Sequence, residues 1–438
     1  MRAAGGAVGV ALAVLAATAG VLGGYWGRGV VGGLGRPRVG PDSSGAAGAE
    51  HSQARLLDEH PIDFSWAPDA TRLAYDAPGP AGDRNIYVAL VPTGSDVLLW
   101  PDRICVAGGP SDEHGPEWSP DGKWIAYVVS GRPDHVYALE PPSSAEGEFP
   151  NSSEAPRRLV ALPGPAGELR WSPDSRSIAV SWGQFDPEGA SIGVLALREG
   201  DHGMAESRLM RVAVSASRSL DVAWTPSGDG LLYCSHAGHL PSVWLAPTDG
   251  TPVRQLSVGH FDGRPSPSRD GRWVAFLSAP GAGGAEASSR GEGARPQVDE
   301  RVPDDAGRDT TRVRPALSGA RCMVMPAGGG SAIPVSPAGP ACDPMSPPAW
   351  SPDGARLAFS MEADDRTTAI FVATSRDGDW EQRPAAVRRL TYLDGLAVRP
   401  RWSPDGRYIA FCHEWVYQPG RALHLVPAPR SNAPAAGG

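Results

Sequence analysis

The chain of 438 residues contains a single lysine, Lys123; every other basic side chain is arginine. Its 40 basic residues face 49 acidic ones, for a net charge of −9. That balance argues against a nucleic-acid binder, whose affinity rests largely on neutralising phosphates. The arginine bias reads as codon usage. Cysteine is scarce as well. Cys105, Cys234, Cys322, Cys342 and Cys412 are odd in number and widely spaced, with no Cys-x-x-Cys. A disulfide framework, a zinc ribbon and a dithiol redox site are therefore not expected. Cys234 and Cys412 occupy equivalent repeat positions and read as buried thiols. Cys322 and Cys342 are expected on neighbouring strands, where an oxidising compartment would let them pair.

Catalytic signatures are equally thin. There is no Gly-x-x-x-x-Gly-Lys phosphate loop, no His-Glu-x-x-His, and no Gly-x-Gly-x-x-Gly after a predicted strand. A peptidase would need a hydrolase domain, and no stretch outside the repeats is long enough to hold one. The ten histidines are scattered, with His236-x-x-His239 the one pair at ligand spacing. No metal and no cofactor are expected.

What the chain does have is turn residues and tryptophan: 55 Gly, 45 Pro and 14 Trp. Such a composition suits many short strands and poorly suits long helices. One segment recurs seven times. It reads Phe64-Ser-Trp-Ala-Pro-Asp69, Glu117-Trp-Ser-Pro-Asp-Gly122, Arg170-Trp-Ser-Pro-Asp-Ser175, Ala223-Trp-Thr-Pro-Ser-Gly228, Ser266-Pro-Ser-Arg-Asp-Gly271, Ala349-Trp-Ser-Pro-Asp-Gly354 and Arg401-Trp-Ser-Pro-Asp-Gly406. Pro267 stands where the others have tryptophan. An apolar run follows each copy, such as Trp124-Ile-Ala-Tyr127 or Tyr408-Ile-Ala-Phe411, and then another, such as His135-Val-Tyr-Ala138. A period of about 45–50 residues holding four short strands is the signature of a propeller blade.

The motif has a physical logic. Tryptophan ends an innermost strand and wedges between blades. Proline fixes φ for the turn, aspartate accepts from an amide two residues on, and glycine takes the positive φ. The recurring aspartates thus read as turn formers, not as a carboxylate ring for metal.

The Trp-Ser-Pro-Asp-Gly-(Lys/Arg)-x-Ile-Ala-(Phe/Tyr) core resembles the WD-like repeat of the TolB-like propellers, over about residues 54 to 427. The resemblance implies an all-β fold, a seven-bladed β-propeller of four-stranded antiparallel blades. Relatives of this kind include the periplasmic TolB, peptidase propeller domains and some polysaccharide lyases. The last repeat supplies three strands, and Ala54–Asp58 precedes the first. The N-terminal strand is therefore expected to complete the seventh blade and close the ring, removing free edges.

Around this propeller (53–427) the chain divides further. Residues 1–27, an uncharged Ala/Gly/Val/Leu stretch after Arg2, read as a signal peptide or membrane anchor. Residues 28–52 read as a flexible linker, 279–317 as a disordered insertion in blade five, and 428–438 as a disordered tail. Both readings of the leader place the propeller outside the cytoplasm: periplasmic, secreted or anchored.

Loops and strand ends at one channel mouth carry the candidate site: His60, Asp63, Asp112, His114, Glu168, Asp221, Asp262, Arg264, Arg399 and Arg401, with Arg170 beside them. They form a mixed-charge, mostly acidic mouth suited to a peptide or a cationic ligand. The expected function is a non-catalytic, extracytoplasmic scaffold that binds a protein or peptide partner. The alternative is a propeller enzyme, lyase-like or peptidase-associated, with its site at that mouth.

Overall fold

A computed structural model describes residues 55–59, 63–91, 103–142, 155–183, 190–200, 203–205, 208–215, 221–235, 240–258, 261–280, 319–344, 346–364, 367–375, 378–381, 386–415 and 420–429, all within the compact unit His51–Gly438. The leader, the linker, most of the 279–317 insertion, His60 and the His236/His239 pair lie outside these residues.

The described residues are all-β, without a helix, and none of their elements is an apolar helix long enough to cross a membrane. Five four-stranded antiparallel sheets follow one another along the chain, beginning with the innermost strands Phe64–Trp66, Glu113–Trp118, Ala166–Trp171, Val222–Trp224 and Phe261–Pro267. Residues beyond them build an eight-stranded sheet, two antiparallel four-stranded halves joined by the single parallel pair Thr368↔Leu396. Its second half runs Leu396–Trp402, Tyr408–Glu414, Arg421–Pro427, and its outermost strand is Arg55–Glu59, pairing antiparallel with Arg421–Pro427. The strand expected at Ala54–Asp58 is thus present, one residue further on. A short hairpin, Arg198–Gly200 with Gly203–Ala205, decorates the third sheet and was not anticipated.

Each recurring turn is built as its chemistry dictates. In the second repeat Ser119 Oγ donates to Asp121 Oδ1 at 2.6 Å, and the same carboxylate accepts the Lys123 amide at 3.1 Å. The Ser119 hydroxyl in turn accepts the Trp124 amide at 3.0 Å, and Gly122 takes φ 74°. Repeats three, five and seven repeat this network through Ser172/Asp174, Ser268/Asp270 and Ser403/Asp405. The fourth repeat lacks the aspartate, and Asp229 replaces it, accepting from both Thr225 and Ser227. These carboxylates are spent on the turn.

The second-strand motif packs by period two. In the second sheet Ile125 and Tyr127 lie in the apolar cluster shared with the first sheet, while Ala126 faces the third. The alanine makes room for the next tryptophan: Ala126 clusters with Trp171, Ala179 with Trp224, Ala358 with Trp402 and Ala74 with Trp118. Burying such a side chain is worth roughly 1.5–3 kcal/mol, so the core is spread over clusters between sheets. One of these clusters joins the first sheet to the last, packing Phe64, Trp66 and Tyr75 against Val398, Ala410 and Leu423.

Candidate functional site

The innermost strands place side chains one and three residues before each tryptophan position towards a common space. One residue before stand Glu117, Arg170 and Arg401; three before stand Asp63, Glu168, Asp221, Arg264 and Arg399. Four of these strands shift register just there, between His114/Glu117, Ala166/Leu169, Gly263/Ser266 and Val398/Arg401. Such bulges re-aim side chains. Gly115, Arg264 and Arg399 take φ of 62°, 57° and 55°. For the two arginines this is a left-handed conformation that ordinary residues rarely adopt, and it is held in place. The Arg264 amide donates to Asp221 Oδ2 at 3.0 Å, and the Arg399 amide to Ser346 Oγ at 2.6 Å.

The charged side chains form one alternating chain. Asp63 meets Arg401 at 2.9 Å, Arg401 meets Glu117 at 3.5 Å, and Glu117 meets Arg170 at 3.9 Å. Arg170 continues to Glu168 at 3.4 Å, Glu168 to Arg264 at 3.5 Å, and Arg264 to Asp221. Strands of four sheets contribute, and Asp63 and Asp221 lead into the innermost strands of two more. The pairing is visible in the acidities. Burial works against ionisation of Asp63, yet Arg401, Arg399 and Arg170 hold its carboxyl below the usual range. Glu117 and Asp221 are pushed up, because burial outweighs their arginine neighbours. Burial opposes the Arg170 charge, but Glu168 and Glu117 more than restore it.

Two cavities flank this chain, and Glu168 and Arg170 line both. The smaller, 230 Å³, is lined by Asp63, Asp76, Arg84, His114 and Arg399 among others. Buried Asp76 braces it, accepting the Asp63 and Gly115 amides and pairing with Arg84 at 2.7 Å. Burial keeps the His114 imidazole below its ordinary pKa. The larger cavity, 570 Å³, opens among the recurring turns, walled by prolines and by Trp66, Trp118, Trp350 and Trp402 over Arg170, Arg264 and Arg401.

The structure therefore brings together Asp63, His114, Glu168 and Arg399 at one cavity, and Glu168, Asp221, Arg264 and Arg401 at the other. Asp112 is exposed and accepts the Arg84 amide at 3.0 Å. Asp262 is buried and lines neither cavity; its carbonyl accepts the Cys234 thiol. His60 lies outside the described residues. The acids gathered here are not open negative charge, since arginines pair them. Sequence reasoning passed over Glu117, although its place before Trp118 matches that of Arg170 and Arg401. It also passed over the turn-side cavity, because the motif residues that wall it had been assigned to turns and packing alone.

The pentapeptide Gly189-Ala-Ser-Ile-Gly193 spells the Gly-x-Ser-x-Gly of serine hydrolases. Ser191 nevertheless sits inside the strand Ala190–Ala196, buried and paired with Trp182 and Val214. A nucleophile elbow needs a strand-to-helix turn, so this serine is structural. Among the described residues no three His, Cys, Asp or Glu side chains are grouped to hold a metal ion.

No protein-family model matches the chain. It is 25% identical over 221 residues to the uncharacterized peptidase YuxL of Bacillus subtilis, a match that covers 49% of this chain and 29% of that protein. The chain thus spans under a third of the curated relative's length. Among solved structures, an oligogalacturonate lyase in complex with manganese matches with a TM-score of 0.56 at 13% identity, covering 87% of this chain and 98% of that one. The β-propeller domain of the trilobed protease from Pyrococcus furiosus, described as having an open velcro topology, matches at 0.51 and 9% identity, covering 86% and 99%. TolB from Acinetobacter baumannii matches at 0.44 and 17% identity, covering 70% and 62%. The likenesses above 0.5 show the fold, a β-propeller, and nothing of function.

Proposed function

We propose that the protein is a non-catalytic, TolB-like propeller that binds a protein or peptide partner at its central channel. Seven four-stranded blades form the ring, and the strand Arg55–Glu59 closes it. The pairing of that strand with Arg421–Pro427 supports this, as does the apolar cluster linking first and last sheets. The N-terminal stretch, as secretion signal or anchor, gives the extracytoplasmic location.

One observation carries the binding reading. The acids and arginines of the channel floor neutralise one another along a single chain of ion pairs, while a cavity stays open above them. A floor arranged so is a preorganised polar surface whose charges are committed to position and not to proton transfer. The cavity volume falls within the range of about 300–1,000 Å³ typical of ligand clefts.

The test is photo-crosslinking of the full chain in its native cells. A photo-reactive side chain at position 68 or 120, both exposed and lining the larger cavity, should give an adduct with a second polypeptide. The same group at position 253, on an exposed outer edge, should not. Adducts from position 253 alone would remove the channel as the site.

A further inference from the structure

We infer that the turn-side cavity is a carboxylate site, and that it takes the C-terminal end of an extended peptide, with Arg269 as its open cation. This rests on the peptide-binding reading and names the ligand chemistry and the mouth.

The fifth repeat carries the argument. Its segment reads Ser266-Pro-Ser-Arg-Asp-Gly271, so Arg269 occupies the position that is proline in the six other repeats. The turn itself is intact, since Ser268 still donates to Asp270 at 2.6 Å and Asp270 still accepts the Arg272 amide at 3.1 Å. The arginine is therefore not needed to build the turn. It is exposed, it lines the larger cavity, and among the described residues it enters no hydrogen bond or ion pair.

Charge complementarity selects the ligand. The cavity is lined by Arg170, Arg264, Arg269 and Arg401 against Glu168 and Asp221. Arg170, Arg264 and Arg401 are committed to the ion-pair chain, so Arg269 is the lining arginine left over. The remaining wall adds little competing polarity. Proline has no amide hydrogen to offer, and the Trp66, Trp350 and Trp402 indole N–H groups already donate to the Arg401, Ser266 and Ala349 carbonyls. An anion entering here meets guanidinium donors, whose planar fork matches a carboxylate.

The shape selects a chain end. Residues from the five four-stranded sheets and the eight-stranded sheet line this cavity, and the ion-paired Glu168 and Arg170 line both it and the smaller one. A chain end entering towards that paired floor brings a terminal carboxylate to Arg269, which an internal segment lacks. The aromatic wall offers little stacking surface. Trp66, Trp118 and Trp402 are 8%, 4% and 7% exposed, and half-buried Trp350 meets Trp380 edge-on with ring centroids 5.2 Å apart.

The experiment uses the full-length protein and two immobilised randomised hexapeptide libraries, identical except that one ends in a free carboxylate and the other in an amide. The free-carboxylate library should retain about tenfold more protein. Arg269→Pro, which restores the repeat pattern, and Arg269→Ala should both abolish that difference while leaving thermal melting unchanged. Equal retention of the two libraries would overturn the carboxylate inference and leave peptide binding standing. Retention of neither would overturn both. Displacement of the bound library by a uronic-acid oligosaccharide at lower concentration than by free-carboxylate peptide would keep the carboxylate chemistry but overturn the peptide occupant.

Discussion

The indole N–H of Trp66 donates to the carbonyl oxygen of Arg401 at 3.2 Å, across 335 residues of sequence. The same bond recurs between successive sheets, Trp171 to Glu117, Trp224 to Arg170 and Trp350 to Ser266, and between the two halves of the eight-stranded sheet, Trp402 to Ala349. The first and last sheets are thus fastened by the device that fastens neighbours along the chain.

Removing that fastening should loosen the whole array. Deleting residues 50–60 takes away the strand that pairs with Arg421–Pro427. We expect a lower and broader melting transition by calorimetry. Trp66→Phe, which keeps most of the apolar area but not the indole donor, should cost on the order of 1 kcal/mol. An unchanged transition in the deletion would argue against closure by the N-terminal strand.

Arg170 sits between Glu117 and Glu168 in the ion-pair chain. Arg170→Met should leave two carboxylates short of a partner and destabilise by about 3 kcal/mol. Adding Glu117→Gln to that variant should recover part of the loss. Urea denaturation of the single and double variants reads both effects, and strictly additive losses would show that the two residues are uncoupled.

His424 should make the protein acid-sensitive. It is buried against Phe411 and His413, with ring centroids 5.5 and 5.4 Å away. Burial and the His413 neighbour depress its pKa to about 4. The unfolded chain binds this proton near pH 6.5, so stability declines as pH falls from about 6.5 to 4 and is flat below. The loss is about 3 kcal/mol. His424→Phe should flatten that part of the stability profile, measured by urea melts at pH 7 and pH 4.

Glu113 should act with the opposite sign. Burial, with Asp83 and Asp112 nearby, raises its carboxyl pKa to about 7. Between its unfolded value near 4.5 and 7, the folded state holds the extra proton. Its contribution therefore falls as pH rises through that window and is level above it. Glu113→Gln should stabilise by on the order of 1 kcal/mol at pH 8 and change nothing at pH 4. A gain of equal size at both pH values would point to packing instead of charge.

Much of this architecture is written locally. A Trp-Ser-Pro-Asp-Gly turn is stabilised by hydrogen bonds spanning two to five residues, and the Ile-Ala-Phe run has its period in its own order. Both can be read without knowing what lies across the chain. The aspartates as turn formers, the repeat boundaries and the strand at the N-terminal edge were legible for that reason. The site was legible only as separate charges. Asp63 and Arg401 are 338 residues apart, and no sequence pattern pairs them. Arg264 and Glu168 come from sheets that are not neighbours in sequence. Whether an acid is open charge or half of an ion pair depends on which strands converge, on the bulges that turn Arg264 and Arg399 into place, and on the burial that shifts each proton's affinity. Those are properties of the assembled sheets, because Coulombic pairing acts through space and is indifferent to distance along the chain.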